Sequence, residues 1–222
     1  TMVIKSHNKI GKVEANYTPL SPISFLSKAA KIFPEKTSII YESQKFSWLE
    51  TYSRCKKLAS ALSNQFNNGD VIGFLAANTP ELYEAHFGVP MAGMVLNALN
   101  IRLDPETISY IIDHSEIKII FADDEFLEFV IKAIEISEEK PKLIRIKDKF
   151  LDIIHDIDDL MDYEEFISNG VESFEPVKLI DEWDSISINY TSGTTGKPKG
   201  VVYHHRGAYL NALGNALEWE MN

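Results

Sequence analysis

The chain has 222 residues, of which 45% are apolar and 25% charged, and its formal net charge is −11 at pH 7. This composition is typical of a globular protein, and the acidic balance argues against nucleic acid or an anionic membrane as the main partner. Cys55 is the only cysteine and no apolar stretch is long enough for a membrane span, which excludes a disulfide framework and predicts a cytoplasmic location.

Predicted strands and helices alternate along the first two thirds of the chain. Short apolar runs predict strands at residues 38–41, 45–48, 71–77, 95–99, 117–122 and 143–146. Apolar residues at steps of three and four predict a helix over residues 49–66, which Ser47 and Glu50 open as a capping box. Its apolar face includes Cys55, so we expect that thiol to be buried rather than nucleophilic.

Helix starts follow several of these strands. Thr79-Pro80 and Asp104-Pro105 each combine a capping residue with a proline at the first helical position. Asp123 or Asp124 is expected to cap a further helix through residues 126–134. Strands that alternate with helices predict an α/β fold with a mostly parallel sheet and helices on its faces.

Seven carboxylates lie between Asp152 and Glu165. Oxygen-rich clusters suit Ca²⁺ or Mg²⁺, but this spacing differs from the EF-hand pattern and lacks its glycine. We therefore expect a solvated acidic face with the interleaved isoleucines packed beneath it.

The most informative segment is residues 190–201, Tyr-Thr-Ser-Gly-Thr-Thr-Gly-Lys-Pro-Lys-Gly-Val. Its glycines allow tight bends, its hydroxyl and backbone N–H groups are donors, and its lysines add positive charge, which together suit a polyphosphate. Alternating Ile186 and Ile188 predict a strand before the loop, and apolar residues at helical spacing from Tyr209 to Leu217 predict a helix after it. The segment therefore predicts a strand–loop–helix phosphate site.

Two common phosphate loops do not fit this segment. The Walker A pattern requires a lysine and a hydroxyl residue after its second glycine, but Pro198 stands five positions after Gly193, where that glycine belongs. The dinucleotide fingerprint requires a middle glycine at the position of Thr195.

The order of residues 188–200 instead resembles the signature loop of the adenylate-forming superfamily. The strings at residues 200–209 and 84–93 are similar to its acyl-CoA synthetase branch, above all to ligases for medium-chain and methylmercaptopropionate-type acids. The resemblance covers nearly all of the chain from about Thr18. It implies that residues 1–222 are an incomplete N-terminal, AMP-binding domain of an adenylate-forming enzyme.

The resemblance implies an acid–thiol ligase reaction in two steps. A carboxylic acid attacks ATP to give an acyl-adenylate and pyrophosphate, and coenzyme A then displaces AMP to give a thioester. The implied phosphate contacts are Thr191, Ser192, Gly193, Thr194, Thr195, Gly196 and Lys199. The hydroxyl of Thr191 is also the implied Mg²⁺ ligand. Lys197 occupies a variable position of the motif, where we expect it to face solvent.

Enzymes of this family are much longer than 222 residues, and their lid lysine, hinge and adenine-binding loop follow the signature loop. We therefore expect this chain to hold no catalytic residue and to be inactive alone. We also expect self-association through uncovered apolar residues such as Leu210, Leu213 and Leu217. Two alternatives stay open: a non-catalytic nucleotide-binding or interaction module, and an adenylating enzyme whose acceptor is a carrier protein.

The histidines give weaker signals. His204 and His205 directly follow the loop segment, where phosphate contact and helix capping or packing are equally compatible with their position. His86, His114 and His155 stand alone, and we expect them to be structural.

Overall fold

The structure is a computed structural model that describes residues 11–151, 153, 160–191 and 196–220. The strands are β1 (Thr37–Tyr41), β2 (Gln44–Ser47), β3 (Val71–Leu75), β4 (Val95–Ala98), β5 (Ile117–Asp123), β6 (Lys142–Ile146), β7 (Ser185–Thr191) and β8 (Lys199–His204). The helices are α1 (Ile23–Ile32), α2 (Trp48–Ser63), α3 (Pro80–Met91), α4 (Pro105–Ser115), α5 (Leu127–Ile136), α6 (Tyr163–Ser168) and α7 (His205–Glu218).

Six of these strands form one sheet in the order β6-β5-β3-β4-β7-β8, and β1 and β2 form a separate antiparallel pair. Neighbouring strands from β6 to β7 are parallel, whereas β8 runs antiparallel to β7 at the edge. The chain adds β4 on one side of β3, adds β5 and β6 on the other side, and then returns to place β7 beside β4. This arrangement confirms the predicted α/β fold with a mostly parallel sheet.

Helices cover both faces of the sheet. One core lies between the sheet and α2, α3 and α6, and in it the rings of Phe74 and Phe121 stack at 4.4 Å. The second core lies against α4 and α5 and is rich in isoleucine. Gly88 allows α3 to approach α2 closely, because a Cβ at this position would lie 2.7 Å from Cδ2 of Leu58.

Most of the predicted caps are present. The Ser47 hydroxyl accepts from the Glu50 N–H at 3.2 Å while the Glu50 carboxylate accepts from the Ser47 N–H at 2.7 Å. Asp104 accepts from the first turn of α4. Asp123 caps a 3₁₀ turn at residues 124–126 that leads into α5. Thr79 has the extended backbone of a cap, but within the described residues its side chain accepts no hydrogen bond from α3.

Some predicted boundaries are wrong. α2 ends at Ser63 rather than at Phe66, and Leu49 is half exposed. Phe66 packs against the first core from the turn that follows the helix, which explains why its spacing extended the helical pattern. Neither α1 nor α6 was predicted, and α6 begins within the acidic segment at its capping residue, Asp162.

The described part of the acidic segment is paired rather than simply solvated. Asp162 accepts from Lys147 at 2.9 Å, and Glu164 accepts from Arg54 at 2.6 Å. Positions 152, 156, 158 and 159 lie outside the described residues. Among the residues that the structure describes, no group of three His, Cys, Asp or Glu side chains could hold a metal ion.

Cys55 is fully buried on α2, and burial raises the pKa of its thiol well above the usual range. The predicted structural role for this cysteine is confirmed. In the described part of the chain, no helix combines the length and the apolar character needed to cross a membrane.

Candidate phosphate-binding hairpin

The candidate site is the glycine-rich hairpin, which comprises β7, β8 and the loop between them (residues 185–204). Thr191 is the last residue of β7 and pairs with Lys199, the first residue of β8. Both are exposed, as is Gly196. Gly196 has a φ of 100°, which favours glycine, and a Cβ there would meet nothing within 4 Å. Its backbone conformation, not crowding, therefore accounts for the glycine.

The middle of the loop falls outside the described residues. This applies to four predicted phosphate contacts, which are Ser192, Gly193, Thr194 and Thr195. Of the predicted contacts, the structure pairs Thr191 with Lys199 at the loop end of the hairpin, and it also describes Gly196, three residues before Lys199.

The strand–loop–helix prediction is wrong in one respect, because β8 separates the loop from α7. Val201, Val202 and Tyr203 belong to residue types that favour strands, and this short run was the sequence signal for β8. The loop therefore connects two antiparallel strands, and the first turn of α7 lies at the other end of β8. The dipole of α7 therefore does not act at the loop.

His204 and His205 lie at the opposite end of the hairpin from Thr191, since His204 pairs with Ser185. Six strand residues span about 20 Å. Nδ1 of His204 accepts from the Gly207 N–H at 2.8 Å and so caps α7. His205 is buried, and its Nδ1 lies 2.9 Å from the Ser21 hydroxyl. Burial also lowers the pKa of His205. The geometry thus favours capping and packing over phosphate contact.

The other lone histidines have different surroundings. Nδ1 of His86 lies 2.7 Å from the Leu82 carbonyl oxygen one turn back on α3, as a structural histidine would. His155 lies outside the described residues. His114, however, contacts the glycine-rich hairpin: its Nδ1 lies 2.6 Å from the Tyr190 hydroxyl oxygen. Sequence reasoning missed this contact because it depends on how the strands are ordered.

Tyr190 connects the loop to the body of the domain. It directly precedes Thr191, packs against the second core and is partly buried, which raises the pKa of its hydroxyl. Gly200 stands opposite Tyr190, and a Cβ on it would lie 3.2 Å from Cζ of that ring and 3.2 Å from Cγ2 of Ile188. The motif glycine at this position therefore leaves room for the tyrosine.

Lys197 is exposed, as the sequence predicted, and it also contacts an aromatic ring. Its Nζ lies 5.1 Å from the centroid of the Tyr110 ring, within range of a cation–π contact. Tyr110 belongs to α4, one turn before His114. Both sides of the loop therefore contact the same helix.

Comparison with known proteins identifies a matching family and similar enzymes. The family described as "AMP-binding enzyme" matches residues 26–221. The peroxisomal trans-cinnamate:CoA ligase of Petunia hybrida is 44% identical, with 96% of this chain and 40% of that protein covered. The peroxisomal acetate/butyrate–CoA ligase AAE7 of Arabidopsis thaliana is 41% identical, with 95% and 39% covered.

Solved structures show a similar fold. The anthranilate CoA ligase AuaEII in complex with anthranoyl-AMP has a TM-score of 0.80 at 18% identity, with 95% of this chain and 39% of that chain covered. A long-chain-fatty-acid-CoA ligase (FadD1) of Archaeoglobus fulgidus has a TM-score of 0.77 at 25% identity, with 96% and 42% covered. The chain spans about 40% of the length of the curated relatives it matches. With the family match extending over most of its residues, this chain belongs to the AMP-binding enzymes.

Proposed function

We propose that residues 1–222 form the N-terminal part of the AMP-binding domain of an ATP-dependent acid–CoA ligase. The observation that carries this proposal is the glycine-rich hairpin, in which a loop of matching residue order joins Thr191 to Lys199. In the described part of this acidic chain, Lys199 has no carboxylate within ion-pair distance. An exposed lysine and hydroxyl at the same end of a hairpin suit an anionic ligand.

The proposed role of the hairpin is to hold and orient the phosphates of ATP. Lys199 would supply positive charge where pyrophosphate departs, and the N–H groups of a glycine-rich loop would donate to phosphate oxygens. Gly196, Thr191 and the loop residues 192–195 complete the proposed contact set. The chain's own contribution is therefore positioning and electrostatic stabilisation, not covalent catalysis.

The residues present fit Mg²⁺ that is held mainly by ATP. A single exposed hydroxyl, that of Thr191, suits an ion that takes one or two protein oxygens and completes its shell with phosphates and water. When bound, Mg²⁺ neutralises phosphate charge and favours attack on phosphorus.

The proposed acyl acceptor is coenzyme A, and the proposed substrate is a carboxylic acid. Several of the matching relatives are named as CoA ligases, for acids as different as trans-cinnamate, acetate, butyrate and benzoate. Their shared acceptor supports coenzyme A over a carrier protein or a non-catalytic module. Their range of acids supports no particular acid for this protein.

The cellular compartment is part of the same proposal. The composition predicts the cytoplasm, whereas several relatives carry "peroxisomal" in their names. We retain the cytoplasmic prediction, and imaging of the tagged whole protein against a peroxisomal marker tests it. Co-localisation with that marker would contradict it.

Titration of the chain with Mg·ATP tests the proposed phosphate contact. We expect Lys199→Ala to weaken binding about tenfold, the size of a charge-assisted hydrogen bond. Lys31→Ala is the matched control, because this exposed lysine of α1 carries the same charge away from the hairpin. Equal affinities in the two variants, or no binding by the unchanged chain, would contradict the proposal.

Adenylation activity requires a separate measurement. We expect ATP–pyrophosphate exchange with carboxylic acids in the whole protein. We expect no exchange above background from residues 1–222 alone, because the lid lysine of the family is expected outside them. Exchange by the isolated chain with several acids would overturn that expectation.

A further inference from the structure

We infer that Tyr110 and His114 of α4 are positioning residues for the glycine-rich hairpin. They lie one turn apart on a helix outside the phosphate motif, and each contacts one side of the loop. The inference rests on the proposed function, because what these residues position is the proposed phosphate contact set.

The first contact holds Tyr190, which lies near the end of β7 just before the loop. Nδ1 of His114 and the Tyr190 hydroxyl lie 2.6 Å apart, and the two rings meet edge to face with centroids at 5.7 Å. The adjacent part of α4 is itself fixed, because the buried Ser115 hydroxyl accepts from Nδ2 of Asn97 on β4 at 3.0 Å. The position of Thr191 is thereby tied to the sheet through α4 as well as through β7.

The second contact holds Lys197, which lies near the end of the loop just before β8. Nζ of Lys197 lies 5.1 Å from the centroid of the Tyr110 ring, and the Tyr110 and His114 rings lie 5.3 Å apart. The two contacts therefore share one continuous surface on α4. Lys197 stands two positions before Lys199, so holding it limits where the proposed phosphate lysine can lie.

Holding Tyr190 and Lys197 on one helix lowers the conformational entropy that Thr191 and Lys199 lose when a ligand binds to them. The contacts would therefore strengthen ATP binding without touching the phosphates. A competing explanation is that Lys197 contacts phosphate directly and that its position over Tyr110 is incidental. The two explanations differ in how substitutions at the two positions combine.

A double-mutant cycle measured by Mg·ATP titration separates these explanations. We expect Tyr110→Leu and Lys197→Met each to weaken binding about two- to fivefold, the size of an exposed cation–π contact. The double variant should be no weaker than the weaker-binding single variant. Tyr110→Phe, which retains an aromatic face, should bind like the unchanged chain. Losses that multiply in the double variant, or affinity unchanged in both single variants, would overturn the role of Tyr110.

A second cycle addresses His114. We expect Tyr190→Phe and His114→Ala each to weaken binding about two- to tenfold, as for one hydrogen bond, with no further loss when combined. Circular dichroism confirms that each variant is folded. Independent, multiplying losses or unchanged affinities would overturn the role of this pair.

Amide hydrogen exchange without nucleotide distinguishes failure of this inference from failure of the proposed function. We expect residues 199–204 to exchange faster in Tyr110→Leu and Lys197→Met, with no further increase in the double variant. If this pattern holds while the unchanged chain does not bind ATP, the proposed function fails and the positioning of the hairpin stands. If exchange is unaltered in every variant, the positioning inference fails whatever the ATP titration shows.

Discussion

Arg54 and Glu84 form an ion pair whose carboxylate is fully buried between α2, α3 and α6. Arg54 donates to both carboxylate oxygens, at 2.5 Å and 3.2 Å, and the Tyr163 hydroxyl donates to one of them at 2.8 Å. Burial raises the pKa of Glu84 to about 7, although Arg54 and Tyr163 act to lower it. The first core therefore contains a carboxyl group that titrates near neutral pH.

This raised pKa predicts a pH dependence of stability. The folded chain holds the Glu84 proton up to about pH 7, whereas the unfolded chain releases it near pH 4.5. The folded state therefore binds more protons in this window, and the free energy of unfolding should fall as the pH rises through it. Urea unfolding at pH 5 and pH 8 measures the change, and Glu84→Gln should make it smaller.

Asp123 should change the pH dependence of stability in the same direction, so its contribution must be separated from that of Glu84. Burial raises the pKa of Asp123 to about 6, so Glu84→Gln should reduce the pH dependence without abolishing it. The double variant with Asp123→Asn should reduce it further. An unaltered slope in Glu84→Gln would show that the Glu84 carboxyl does not titrate in this window.

Removing the arginine from the buried pair should be strongly destabilising. At pH 8, where Glu84 is ionised in the unchanged chain, we expect Arg54→Met to cost about 3–5 kcal/mol, because the buried Glu84 carboxyl must then either stay charged without its cation or take up a proton. Lys57→Met is the matched control: Lys57 pairs with Glu172 at 2.8 Å, but that carboxylate is 63% exposed. An exposed pair contributes at most about 1 kcal/mol. Similar losses in the two variants, measured by urea unfolding, would contradict this account of the buried pair.

Much of the fold could be predicted from local signals in the sequence. The capping box at Ser47 and the Asp104-Pro105 start give correct helix starts because a cap involves residues within one turn. α1 and α6 were missed although each buries apolar residues, because short helices depend on tertiary packing more than on local pattern. The strand β8 was missed because its Val-Val-Tyr run is short and its pairing with β7 is a property of the hairpin.

The candidate site was predicted only in part for a related reason. Residue order alone identified Thr191, Gly196 and Lys199 as proposed phosphate contacts. The contacts of Tyr190 with His114 and of Lys197 with Tyr110 join residues far apart in the sequence. They arise because β7 returns to lie beside β4, and because α4 packs on the face of the sheet against which Tyr190 packs. No local pattern in the sequence encodes this strand order.

Two glycines in helices should respond oppositely to alanine. At Gly88 a Cβ would lie 2.7 Å from Leu58 and 3.0 Å from the Cys55 carbonyl oxygen, so Gly88→Ala should destabilise the fold by about 1–3 kcal/mol. At Gly214 a Cβ would meet nothing within 4 Å, and Gly214→Ala should stabilise α7 by about 0.5–1 kcal/mol. Thermal unfolding of both variants measures the difference. A stabilising Gly88→Ala would show that α2 and α3 are not packed as closely as described.

The apolar surface of α7 and β8 predicts self-association of this chain. Leu210, Leu213 and Leu217 are 44%, 40% and 72% exposed, and Val202 on the edge strand is 56% exposed. Of the described residues of α7, only His205 is buried. Exposed apolar residues beside a sheet edge favour contact with another chain. We therefore expect the mass from light scattering to rise with protein concentration.

Substitutions on this surface test the prediction. Leu213→Lys combined with Leu217→Lys should shift the chain towards the monomer, because burying either charge in a contact is unfavourable. Ile136→Lys is the control, since Ile136 is 55% exposed at the end of α5, away from this surface. A monomeric mass at high concentration for the unchanged chain would contradict self-association. An equal shift in the control variant would show that the added charge, not this surface, is responsible.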